Sequence, residues 1–147
     1  MLKSSLITLF VRDLNKLHDE IAAYKSESSL WQVDRDIPNS AGNLCLHLVG
    51  NLNTFIGAEL GNSGYVRHRD LEFSSKNIPK AELLQKVKDT IVVVEQSLNG
   101  ITDASLDEAY PKVVLKEATA TGFLLVHLLA HLSYHLGQIN YHRRLLD

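Results

Sequence analysis

Four stretches of the chain repeat apolar residues at the i, i+3, i+4, i+7 spacing of a helix packed along one side, with breakers between them. In the first, over about residues 3–25, the repeat is Ile7, Phe10, Val11, Leu14, Leu17 and Ile21, with His18 at the edge of the stripe. Pro38-Asn39-Ser40 then signals a helix start with Asn39 or Ser40 as N-cap, because a side-chain oxygen there accepts from an unpaired N–H of the first turn. That second helix runs to about Leu60, before Gly61-Asn62-Ser63-Gly64, with Leu44, Leu48, Leu52 and Phe55 or Ile56 on its core face. Pro79 suits the first position of a third helix, whose stripe of Leu84, Val87, Ile91, Val94 and Leu98 stops at Asn99-Gly100. Thr119 or Thr121 caps a fourth, which runs to about Leu146, and Arg143 and Arg144 complement the negative end of its dipole.

These elements add up to an all-α, four-helix bundle about 30 Å long, formed by residues 1–147 as a single domain. Residues 61–78, glycine-rich and then charged, exceed a typical connection. Fully extended they reach about 60 Å, enough to carry the chain back along the bundle. The mixed charge of residues 66–76 reads as a solvated loop. Tyr110-Pro111-Lys112-Val113-Val114-Leu115 is expected to form a short β segment, because β-branched residues follow a proline suited to an edge.

A chain of 147 residues buries a core large enough to need no staples. Its single cysteine, Cys45, excludes an internal disulfide framework, suits a reducing cytoplasm and reads as a small buried hydrophobe. A net charge of −2 supplies no basic field, which argues against a nucleic-acid partner. Residues 1–12 pass straight into the first amphipathic pattern without a small-residue cleavage site, so they read as helix rather than signal peptide. No apolar run approaches the roughly 18 residues of a membrane span. A soluble, cytoplasmic protein with no membrane partner is expected.

Three of the seven histidines, His127, His131 and His135, fall four residues apart on the fourth helix. Side chains at i and i+4 share a helix face about 5–6 Å apart, so two imidazoles can reach one ion. His127 and His135, two turns apart, cannot share one. The stripe therefore offers His127/His131 or His131/His135, with a third ligand required from elsewhere. His47 on the second helix supplies it if the second and fourth helices face each other. Three protein ligands with one open position make a catalytic type of site. Each ligating imidazole needs its other nitrogen held by a neighbour, and Asn43, Asn51, Gln138 and the spare His127 are candidates for that outer layer. Cys45 lies about 200° round the helix from His47, so both cannot face one ion. Neither a His-Glu-x-x-His motif nor the paired Glu-x-x-His of di-iron bundles is present, and no G-x-S-x-G elbow supports a serine hydrolase.

His-Leu-Leu-Ala-His-Leu-Ser-Tyr-His-Leu-Gly-Gln-Ile at 127–139 resembles the fourth-helix signature of the DinB-like (DinB/YfiT) superfamily of metalloenzymes. His47, within Gly42-Asn43-Leu44-Cys45-Leu46-His47-Leu48-Val49-Gly50-Asn51-Leu52, matches that group's upstream histidine. Arg69-Asp70-Leu71-Glu72-Phe73 resembles a segment of one of its uncharacterised branches, a domain of unknown function. The resemblance implies an up-down-down-up bundle with a long crossover between the second and third helices. It also implies a divalent metal, most often nickel or zinc, and a homodimer. Carried over position by position, the metal ligands are His47, His131 and His135, and His127 falls to an outer or structural role. Characterised relatives include transferases and isomerases that use a low-molecular-weight thiol such as bacillithiol or mycothiol.

Two functions follow as expectations. One is a metal-dependent enzyme acting on a small-molecule substrate, a thiol transferase or, as a variant, a hydrolase using metal-activated water. The other is a non-catalytic metal-binding or structural bundle, favoured by the absence of an evident general base beside the histidines.

Overall fold

The computed structural model describes residues 1–147, and it is all-helical. Helix α1 (Leu2–Ala22) buries Leu6, Phe10, Leu14, Leu17 and Ile21, while Ile7 and Val11 of the predicted stripe stay half-buried at its edge. It packs on α5 (Lys80–Gly100) and α6 (Thr121–Leu146), and α2 (Ala41–Leu52) packs on the same two helices. The core closes where these four meet, with Phe10, Leu14, Leu48, Leu52, Val87, Leu124 and Leu132 sealed from solvent.

Ser40 caps α2, its Oγ accepting from the Asn43 N–H at 3.2 Å. The sequence pattern marks one apolar face on this helix, but every residue from Ala41 to Leu52 is buried. The outer side is covered by two short elements: a 3-10 turn at Glu27–Trp31 and helix α4 (Arg69–Ser74). Glycines make room for both. A Cβ on Gly42 would meet the Trp31 ring at 2.7 Å, and one on Gly50 would run into the Glu72 carboxylate.

Beyond Leu52 the helix widens into a π-helical turn, Asn53–Ala58, then tightens into α3 (Glu59–Gly61). Asn53 Nδ2 steadies the widened turn by donating to Val49 O at 2.8 Å and to Thr90 Oγ1 at 2.9 Å. Asn62, in the left-handed region at φ 50°, ends the run.

The 62–79 connection is not the simple solvated loop that its mixed charge suggests. Helix α4 is too short to show a period, and tertiary hydrogen bonds hold it: Asn43 Nδ2 donates to Glu72 O at 2.9 Å and to Ser75 O at 2.8 Å. Pro79 stands as the cap of α5, one residue before its expected place.

The β segment expected at 110–115 does not form. A single antiparallel bridge, Ala109 to Ala120, takes its place, with Tyr110 N–H donating to Thr119 O at 2.9 Å and Thr121 N–H to Glu108 O at 2.8 Å. The residues between loop outward with Val113 exposed, because no neighbouring strand offers them a ladder. No helix is long and apolar enough to cross a membrane.

Candidate metal centre

Helix α6 turns Leu124, Leu125, Leu128, Leu132 and Ile139 into the core, which leaves His131 and His135 half-buried on a flank. Helix α2 packs against α6 and buries His47. The condition set by the histidine spacing, that these two helices face each other, is met. His47 Nε2 and His135 Nε2 each lie 3.2 Å from His131 Nε2. One ligating nitrogen from each of the three rings lies within 4.8 Å of the others. The rings stand edge to edge, at 76° between His47 and His131 and 89° between His131 and His135.

The far side of each ring decides what the near side presents. His47 Nδ1 lies 3.0 Å from Glu72 Oε1, and His135 Nδ1 lies 2.7 Å from Gln138 Oε1. A carboxylate or an amide oxygen only accepts, so both Nδ1 atoms carry the proton and both Nε2 lone pairs face inward. His131 Nε2 faces the same point, and its buried Nδ1 has no hydrogen-bond partner. Three imidazole nitrogens thus converge where at most one proton can be shared. A tetrahedral ion with bonds of about 2.0–2.1 Å holds its nitrogens roughly 3.3 Å apart, close to the two 3.2 Å separations. The donor set fits a divalent ion of the borderline kind that imidazole prefers.

Glu72 is itself anchored. Arg67 Nε donates to Oε2 and Arg67 Nη2 to Oε1, each at 2.9 Å. The side chains of this chain of contacts are only 15% exposed at Arg67, 7% at Glu72 and 9% at His47. Phe73 covers the His47 ring at a centroid distance of 4.9 Å. Low exposure strengthens each charge-assisted bond, and the two-pronged guanidinium fixes the carboxylate that orients His47.

Of the proposed outer residues, Gln138 sits on His135. Asn43 instead holds α4 through the carbonyls of Glu72 and Ser75. Asn51 is buried one turn beyond His47, its Oδ1 without a partner. His127 is exposed and makes no hydrogen bond to the cluster. Arg67 escapes a reading of the sequence, and Glu72 enters it only within the Arg69–Phe73 resemblance with no role attached, because both lie in a stretch without period. The available signal is Gly50, one turn past His47, whose missing side chain leaves room for the Glu72 carboxylate.

Burial, followed by the neighbouring imidazoles, pushes His131 down from 6.5 to about 4. Burial also lowers His47, outweighing the opposite pull of Glu72. Both rings are therefore neutral at pH 7, the state a metal ligand requires. In the unfolded chain these histidines take up protons near pH 6.5, whereas folded His131 resists until about pH 4. The unfolded state then binds more protons across that window, so stability falls as pH drops through it. Thermal melts of metal-free protein between pH 7 and 4 should show a declining midpoint, and His131→Gln should flatten the decline. An equally steep decline in that variant would remove His131 as its source.

A family model described as a protein of unknown function (DUF1572) matches residues 3–147. No curated protein and no solved structure matches the chain.

Proposed function

The chain belongs to the DUF1572 family of proteins of unknown function, and we propose that it is a divalent-metal-dependent enzyme of DinB-like type that activates a small thiol for transfer. The carrying observation is the inward convergence of His47, His131 and His135, two of them held in the required tautomer by Glu72 and Gln138. The ring of α1, α2, α5 and α6, with a long connection between α3 and α5, supports reading the fold as an up-down-down-up four-helix bundle. A cytoplasmic homodimer handling a small molecule is the setting we assign it.

The three imidazoles would hold the ion, and nickel or zinc suits them. When bound, such an ion lowers the pKa of a thiol or water and polarises an electrophile. Glu72, itself held by Arg67, keeps His47 aimed with its Nε2 inward, while Gln138 orients His135 in the same way. Phe73 shields one side of the His47 ring from water. Cys45 offers no competing nucleophile, because complete burial raises its thiol to about 12. The thiol must then come from a small molecule. A specific feature favours the non-catalytic alternative: Glu72, the carboxylate that reaches the cluster, is committed to Arg67 and His47 and is not free to act as a base.

Metal-loaded protein incubated with a panel of low-molecular-weight thiols and monochlorobimane should turn over faster than the His135→Ala variant. Equal rates across the panel, with metal bound tightly to the parent, would leave a binding or structural bundle.

A further inference from the structure

A cleft of about 630 Å³ begins at His135 and Gln138 and runs along the last turns of α6, closed on its other side by the segment between Asp34 and Leu44. Its size falls within the range of sites that enclose small organic ligands, roughly 300–1,000 Å³. Ile37, Leu44, Tyr141 and Leu145 make its walls largely apolar, and all but Leu44 are exposed. Its charged groups pair with each other: Arg35 Nε lies 3.8 Å from Asp34 Oδ2, and both are solvated. His142 also lines the cleft, yet its Nδ1 is 2.6 Å from the Tyr24 hydroxyl and its Nε2 is 2.7 Å from Gln32 O, so it offers a ligand no free polar atom. Its remaining polar lining is Asn39, the hydroxyls of Tyr134 and Tyr141, and the His135–Gln138 pair, which marks the end facing the imidazole cluster.

We infer that this cleft holds the uncharged apolar tail, aliphatic or aromatic, of a small-molecule substrate whose polar end lies at the imidazole cluster. The inference rests on the metal-centre reading for the direction in which the ligand lies, but not for the existence of the apolar site. A ligand with no apolar tail leaves Ile37, Tyr141 and Leu145 in water. One with a charged tail finds only Asp34 and Arg35, solvated charges that already pair with each other. Each methylene withdrawn from water favours binding several-fold, so even a half-filled cleft discriminates strongly by tail length.

Two measurements test this separately from the metal. Metal-free protein should bind neutral N-phenyl-1-naphthylamine with enhanced fluorescence, and Leu145→Glu or Ile37→Glu should abolish the enhancement. Both positions are open to solvent, and circular dichroism melts would verify that each variant folds. Zinc-loaded protein should then bind octanohydroxamate about tenfold or more tightly than acetohydroxamate, with that preference lost in Leu145→Glu while acetohydroxamate binding stays unchanged. Naphthylamine binding that ignores both variants, or equal affinity for the two hydroxamates, overturns the tail site. Naphthylamine binding that responds to the variants, with no hydroxamate bound at all, keeps the apolar cleft and overturns the metal centre instead.

Discussion

Replacing His131 with alanine should weaken binding of zinc or nickel by at least about 100-fold, since loss of an outer partner alone costs roughly 10–100-fold. His131 is the middle of the cluster. Its Nε2 makes both of the 3.2 Å approaches, and without it His47 and His135 are left with ring centroids 5.4 Å apart. Titration against a fluorescent chelator reads the change directly. The same substitution removes a partly buried imidazole that is held neutral and whose Nδ1 has no partner, so the metal-free protein should lose little stability near neutral pH. Affinity and stability then move independently, which packing histidines would not do. His127→Ala is the internal control, because that ring is exposed and unbonded to the others. Metal affinity that survives His131→Ala would return the three rings to ordinary packing.

Glu72→Ala should cost about 3–5 kcal/mol, the loss typical when one partner of a buried ion pair is removed. Two guanidinium N–H groups of Arg67 and the Nδ1–H of His47 would face an apolar void in place of a carboxylate. Urea denaturation of metal-free protein measures the loss, and metal affinity should fall in parallel because His47 is released to rotate. A loss below about 1 kcal/mol would class the pair with solvated surface bridges. Gly50→Ala offers a second route to the same end, since the added methyl would displace the carboxylate while leaving every charge in place.

Both effects depend on residues that the sequence reveals to different degrees. The period of the apolar residues exposes α1, α5 and α6 to within a few positions, and Ser40 announces the start of α2. Four-residue spacing shows that His131 can work with a neighbour on its own helix. It does not say which neighbour, nor that His47 lies opposite, because that depends on how α2 and α6 pack. Arg67 and Glu72 are hidden for another reason. A charged residue in a two-turn helix looks the same in the sequence whether it is solvated or buried against a partner far along the chain. The all-round burial of α2 is equally silent, since Asn43, His47 and Asn51 mark a polar flank by type but face covered surroundings. At 110–115 the β-branched residues express a local preference that tertiary structure leaves without a strand to pair with.

The widened turn at Asn53–Ala58 bears on where this helix can tolerate a change in length. Such a turn contains one residue more than an α turn, so excising one there yields a regular helix and leaves the upstream register intact. Excision between Ser40 and His47 would instead swing the imidazole through about 100° and away from α6. A change of length in the second helix that keeps His47 facing α6 must therefore fall beyond that residue.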